Sequence, residues 1–188
     1  MKRKWLLVSI VILIVMAGLG YWSVSTSQST AAAEKRIGDL IGRSDIISAI
    51  ETANRHDHLR RSSIDALWVA EYKNPEVNGK IAALMSTQLS RRLASDVAQS
   101  HGQIEQVMVF DEAGCLVGAD HATHDYDQSD EDKWKRTVGA ANLKPVFEGR
   151  DTDPKGTTDQ VSQSVRDKAG KIIGGVTLRW CSSLGGCL

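Results

Sequence analysis

The frame V-x-D-x-A-G-x-(L/I)-(V/I)-G occurs twice in this chain, as VFDEAGCLVG at 109–118 and VRDKAGKIIG at 165–174. An Asp opens a turn because its carboxylate accepts from backbone N–H groups two residues on, and a Gly closes it because it tolerates positive φ. Runs of β-formers on both sides make each copy a hairpin. Two such hairpins commit much of the chain to one small antiparallel sheet. Between them lies HATHDYDQSDEDKW (121–134), acidic and aromatic-bearing, and a pocket or patch is expected there beside the sheet.

The other elements follow from periodicity. From Glu34 to about Arg61 the pattern is helical, with Ile37, Leu40 and Ile41 on one face and Ile46, Ile47 and Ile50 continuing it after a slip near Gly42. Ser44-Asp45 is expected to cap the second piece. His56-Asp57-His58 with Arg60 and Arg61 forms a polar break, and a short helix from Ile64 to Tyr72 carries Trp68. Val77, Ile81, Leu84, Met85, Leu89, Leu93 and Val97 form a stripe that predicts one amphipathic helix over 77–101. Strands are expected at Ile104–Phe110, Leu116–Ala119, Pro145–Phe147, Asp159–Arg166 and Lys171–Trp180. A short helix or turn should follow the second strand at Trp134–Ala141, and Asp151–Thr158 reads as a polar loop. In the last strand Val176, Leu178 and Trp180 alternate with Thr177 and Arg179, as for a sheet with one buried face. Helices first, then about five strands with a helical insert, is an α+β order.

Lys2, Arg3 and Lys4 precede Trp5–Trp22, 18 residues without a charge. That is close to the ~20 needed to cross a bilayer, with basic residues on the side that stays in the cytoplasm. A single-pass inner-membrane anchor is expected, with the C-terminal domain in the periplasm. A cleavable signal peptide ending near Ala31-x-Ala33 is the rival. The expected organisation is a cytoplasmic tip at 1–4, the anchor at 5–22, a linker at 23–33, a stalk helix at 34–61, the main domain at 62–181 and a Gly/Cys tail at 182–188. Beyond the basic tip 20 basic residues face 23 acidic ones, which argues against nucleic acid as a partner. With three Cys, at most one bridge forms within the chain, and Cys181 with Cys187 is the near pair; free thiols are the alternative. The stalk helix either pairs with a copy of itself through 34–61, giving a homodimer, or packs on its own domain.

From about Ser44 to Trp180 the chain resembles an extracytoplasmic single Cache (PDC, PAS-like) sensor domain. The residues that carry this are Asp45-Ile46-Ile47-x-x-Ile50 followed by Asn54, Ile64-Asp65-x-x-Trp68, Leu89-Ser90-x-x-Leu93 and the strand-turn VMVFDEAG (107–114). Asp125-Tyr126-x-Gln128-x-Asp130-Glu131-x-x-Trp134 and VSQSVRDKAGKIIGGVTLRW (161–180) complete the series. The resemblance implies a long N-terminal helix and a helical layer on a five- to six-stranded antiparallel PAS-like sheet, here preceded by one transmembrane helix. It further implies a pocket for a small extracellular molecule and coupling to a signalling output. Ser129 stands where relatives tend to have Gly. The Tyr, Arg and Trp-Tyr ligand motif of amino-acid-binding double Cache proteins is not evident, so no ligand class carries over. No output domain or second span follows Trp180, so a separate signalling protein is the expected partner.

For the ligand, the candidates are Tyr126, Gln128, Asp130, Trp134, Asp125 and Phe110. Tyr and Trp offer apolar walls with a polar tip, and Gln and Asp supply oriented hydrogen bonds. The alternative is that Asp130 and Tyr126 fix the loop and Trp134 fills the core. Eight acidic residues and no Lys or Arg lie between Asp111 and Asp132, which tilts the ligand toward a cation, an amine or a neutral polar solute. His121, His124 and Asp125 are a weaker metal alternative, because Asp125-x-Asp127-x-Ser129 fails the calcium-loop pattern at Asp130 and Arg136. No cofactor motif and no catalytic motif is present, and an enzyme is not expected. The expected function is solute sensing through a partner protein. An envelope interaction module without a ligand, or a metal-binding envelope protein, is the alternative.

Overall fold

The computed structural model describes residues 30–56, 61–76, 79–153 and 156–181, and the side chains of 150–157 are not described. The expectations for the 1–4 tip, for the 5–22 anchor, for the linker before residue 30, for Asp57 to Arg60, for Val77, for the Cys181–Cys187 pair and for the 182–188 tail lie outside these residues. By backbone contacts the chain divides into Met1–Ala32 and Ala33–Leu188, and the sheet with its helical layer belongs to the second unit. Among the described residues no helix is long and apolar enough to cross a membrane.

Five strands form one antiparallel sheet: β1 Ile104–Asp111, β2 Leu116–Ala119, β3 Val146–Asp153, β4 Gly156–Arg166 and β5 Ile172–Cys181, in the order β2-β1-β5-β4-β3. The repeated frames are the β1–β2 and β4–β5 hairpins, and the two pair with each other through β1 and β5. Helical residues 33–41 (α1), α2 Ser44–Ala53, α3 Arg61–Lys73, α4 Lys80–Met85 and α5 Gln88–Ala98 precede the sheet, and α6 Asp132–Lys135 lies in the β2–β3 connection. Helices on an antiparallel five-stranded sheet are the architecture that the Cache resemblance implies.

One face of the sheet carries the main apolar core, with Gln163 and Asp159 the polar residues of β4 on it. Val107, Val109, Val161, Val165, Val176 and Leu178 pack with Ile37, Leu40, Ile46, Ile50, Leu89 and Leu93 in the main core. The apolar stripe of 34–61 is therefore spent on the chain's own sheet, and the opposite side of α1 carries exposed Glu34, Lys35 and Asp39. A homodimer along this segment would have to use that polar side. A second cluster gathers Trp68, Met108, Leu116 and Ala119, with Ile81, Leu84, Met85 and Tyr126 against it.

Three expected elements differ. The stripe over 77–101 is broken: α4 ends at Met85, and Thr87 starts α5 as its N-cap, its hydroxyl accepting from the Ser90 N–H at 3.1 Å. Such a local side-chain bond offers the backbone an alternative to continuing the helix, and it lets α4 turn to the second cluster while α5 stays on the first. Ser44 and Asp45 do not cap α2. Arg43 holds that position with no side-chain cap, while Asp45 takes two hydrogen bonds from the Arg43 guanidinium at 3.0 and 2.6 Å. The polar loop at 151–158 is instead the tip of a ladder, with Asp151 opposite Thr158 and Asp153 opposite Gly156. An edge ribbon needs backbone pairing rather than apolar side chains, so its polarity hid it.

Lacking a cap of its own, α4 borrows one. Glu71, on α3 and only 4% exposed, accepts from the N–H groups of Lys80, Ile81 and Ala82 at 2.5, 3.0 and 3.3 Å. These are the first-turn amides that a helix leaves unpaired.

Candidate functional site

The β1–β2 turn organises the loop that comes after it. Asp111 Oδ1 accepts from the Ala113 and Cys115 N–H groups at 3.0 and 2.9 Å, and Gly114 sits at φ 88°. The loop then returns to this turn: Gln128 N–H donates to the Gly114 carbonyl at 2.8 Å, and Leu116 N–H donates to the Tyr126 carbonyl at 3.1 Å. A Cβ at Gly114 would lie 2.7–2.8 Å from the Cβ, Cα and N of Ser129, so only Gly allows this approach.

The motif residues on the helices hold the same loop from outside. Asp65 Oδ1 accepts from the Tyr126 and Asp127 N–H groups at 2.8 and 3.0 Å, and Trp68 Nε1 donates to the Thr123 carbonyl at 2.9 Å. Arg61 pairs with Asp127 at 2.9 Å and donates to the Ala113 carbonyl at 2.7 Å. Asn54 ties both hairpins, donating to the Ile173 carbonyl at 2.7 Å and accepting from Glu112 N–H at 3.2 Å. Ser90 Oγ accepts from Ala119 N–H at 3.3 Å.

Most of the expected ligand residues are thus engaged in construction. Gln128 is buried, and its side chain donates to the Asp125 carbonyl at 2.8 Å. Tyr126 packs on Trp68 with ring centroids 5.7 Å apart, and burial holds its phenol well above the ordinary range. The Cys115 thiol beside it is pushed up to about 12, chiefly by burial and then by the Asp111 and Asp127 carboxylates. Phe110 is fully buried against Gly175, where a Cβ would meet its ring at 2.4 Å. Asp130 is exposed, and its carbonyl accepts from Lys135 Nζ. Trp134 is half-buried, and its indole Nε1 is buried without a hydrogen-bond partner among the described residues.

The metal alternative is not assembled. His121 pairs with Asp120 at 2.6 Å and lies 3.1 Å from Gln106 Nε2, while His124 stands edge-on to Tyr72. Among the described residues no three His, Cys, Asp or Glu side chains converge to hold an ion.

A different constellation lies on the sheet's second face. The face assigned to solvent in β5 is covered: Thr177 is fully buried and shares a 2.9 Å hydrogen bond with Ser162, while Ser164 Oγ donates to the Asn142 carbonyl at 2.7 Å. The β2–β3 connection supplies the cover, with α6 packed on β4. One register further along, Glu148, Gln160, Arg179 and Gln106 stand side by side across β3, β4, β5 and β1. Gln160 Nε2 donates to Glu148 Oε2, and Arg179 reaches Thr158 Oγ1 at 3.3 Å. Arg179 Nε also lies 3.1 Å from Glu105 Oε2, an ion-pair contact off the hydrogen-bonding direction. Glu148, Gly149, Thr158, Gln160 and Arg179 line a cleft of about 260 Å³. Burial raises the Glu148 carboxyl above its ordinary value, opposed by the Gln160 hydrogen bond. The sequence signal was available in Gln160, Ser162 and Ser164 alternating with Val161 and Val165, but it has the same appearance as a solvated strand face.

A larger open cleft of about 500 Å³ lies between α2, the α4–α5 corner and β2. Its walls (Ala49, Leu84, Leu89, Val117) belong to the helix–sheet seam, and none of the buried unpartnered polar atoms found among the described residues lies on them.

No protein-family model matches the chain, and no curated protein matches it. Among solved structures it is similar to the sensor domain of E. coli DcuS, at 10% identity and TM-score 0.40, over 64% of this chain and 85% of that one. It is also similar to the extracellular domain of a protein described as a histidine kinase, vpHK1S-Z8, at 12% identity and TM-score 0.49, over 89% and 57%. A third is the ligand-binding domain of the Campylobacter jejuni chemoreceptor Tlp3 in complex with L-valine, at 13% identity and TM-score 0.38, over 84% and 63%. The chain spans less than two thirds of the latter two chains.

Proposed function

We propose that this chain is a membrane-anchored, extracytoplasmic solute sensor of the single Cache type that signals through a separate partner protein. The observation that carries the reading is the polar row Glu148–Gln160–Arg179–Gln106, part of which lines a cleft on the second face of a sheet whose first face carries the main apolar core. A polar row partly withdrawn from water costs stability unless its groups are satisfied, and a binding site is where such a cost is accepted. The resemblance of residues 44–180 to Cache domains supports the same reading, and the apolar run at 5–22 supports the anchor. The stretch 125–134, where recognition is expected from the sequence, lies in the β2–β3 connection that packs on β4 through α6.

Thermal denaturation of the full chain against a library of small solutes tests it. A sensor predicts at least one solute that raises the melting temperature with the concentration dependence of mass action. A flat response across the library would leave an interaction module as the better description, and a response to divalent metals that chelator removes would favour the metal-binding alternative.

A further inference from the structure

The cleft at the β3 end of the polar row is unevenly matched in charge and hydrogen bonding. Arg179 is opposed by Glu105 and also donates to Thr158. Glu148 receives a hydrogen bond on Oε2 from Gln160, but Oε1 is buried and has no hydrogen-bond partner among the described residues. Lys133 on α6 and Arg136 just after it act at longer range to favour its ionised form, Asp132 opposes this, and neither base forms a hydrogen bond with it among the described residues. A carboxylate oxygen removed from water with no donor is an expensive arrangement, and a charged donor relieves it best.

We propose that this cleft binds a small organic cation, a primary ammonium or a group of like charge and hydrogen-bonding capacity, which donates to Glu148 Oε1 after a turn of the carboxylate brings that oxygen to the cleft wall. This rests on the ligand-binding reading above and names the ligand's chemistry. One free carboxylate oxygen suits an ammonium, which needs few acceptors. Calcium or magnesium demands six or more oxygen ligands, which Glu148, Thr158 and Gln160 cannot supply alone. An anion would have to displace Glu105 from Arg179 and lie beside Glu148. A cleft of about 260 Å³ suits a solute of a few heavy atoms.

Three probes of matched size separate the possibilities: n-propylammonium chloride, 1-propanol and sodium propionate, each against sodium chloride at equal ionic strength on the full chain. Propylammonium should raise the melting temperature along a saturating curve, while propanol and propionate track the salt control. Glu148→Gln should keep the far-ultraviolet circular dichroism of the parent and bind propylammonium about tenfold more weakly or worse. Stabilisation by propionate in place of propylammonium overturns the proposal, and so does an unchanged response in Glu148→Gln. If propylammonium has no effect while a neutral or anionic library solute stabilises, the cation inference falls and the sensor reading stands. If nothing stabilises, both fall. Should Glu148→Gln fail to fold, hydrogen exchange on the unaltered chain decides. Propylammonium must then slow exchange in β3 and β4, and slowing confined to 125–131 overturns the assignment.

Discussion

The turns at Asp111–Gly114 and Asp167–Gly170 share a backbone and differ in almost everything around it. Each has its Asp N–H donating to the carbonyl four residues on, at 3.0 and 2.9 Å, and its Gly N–H donating back to the Asp carbonyl, at 3.1 and 3.0 Å. The glycines sit at φ 88° and 85°. Yet a Cβ at Gly114 would collide with the Ser129 backbone, whereas nothing lies within 4 Å of a Cβ at Gly170. The first turn is buried under a loop, α2 and α3, and the second stands largely in solvent. The same local chemistry therefore serves once as a keystone for the β2–β3 connection and once as a simple reversal of direction.

The largest effect should come from the glycines. Gly114→Ala should cost on the order of 4 kcal/mol, because an unfavourable positive φ adds to a clash with backbone that cannot turn aside. Gly170→Ala should cost about 1–2 kcal/mol for the φ alone. Chemical denaturation of the two variants measures the gap, and equal losses would remove the distinction between the turns. Next come the aspartates. Asp111→Ala leaves two N–H groups in a buried turn and should cost about 2–3 kcal/mol, against roughly 0.5–1 kcal/mol for Asp167→Ala at its more exposed site.

Cys115 reports the same contrast chemically. Its thiol, pushed up to about 12, should resist alkylation at pH 8 in the native chain, as judged by peptide mass mapping. Gly114→Ala should speed its labelling and Gly170→Ala should not.

The hairpins also differ at their open ends, and pH sharpens that difference. The β1–β2 hairpin is closed by Asp120, which accepts from Val107 N–H at 2.7 Å and pairs with His121. The Asp120 hydrogen bond raises the His121 imidazole above its ordinary value. This contribution is therefore complete below the unfolded imidazole pKa of about 6.5 and is lost as pH rises through the folded value. Melting temperature should decline slightly from pH 6 to pH 8, and His121→Gln should flatten the decline. Because His121 is more than half exposed, the effect is small. Smallest of all is the exposed Lys171–Glu112 pair that joins the two turns at 2.9 Å. Lys171→Ala should leave the denaturation midpoint within its experimental error.

How far these features can be read without coordinates depends on the range of the forces involved. The turns, the strand pairing they impose and the α+β order are short-range matters, written in Asp, Gly and period-two runs. The break at Ser86-Thr87 was hidden because a hydroxyl cap competes with helix continuation by a margin that an apolar stripe does not reveal. For the loop, Tyr126 and Gln128 are held by Asp65, by Trp68 and by the Asp125 carbonyl, partners that lie partly on a helix some 60 residues earlier. Gln128 and Tyr126 look like recognition residues because burial and directed hydrogen bonds serve loop construction as well as ligand contact. Glu148, Gln160 and Arg179 come from three strands, and their alignment depends on registers that include a bulge between Glu148 and Arg150. No linear pattern carries that information.

The borrowed cap on α4 has a consequence for the order of assembly. A six-residue helix is too short to persist by itself, since nucleation consumes most of what its few hydrogen bonds return. With Glu71 receiving its first-turn amides, α4 becomes a dependent of α3 and can form only once that helix is in place. The two should then open and close together, as one unit of exchange. The Leu84 and Met85 side of the second cluster would assemble after Trp68 has docked and not before.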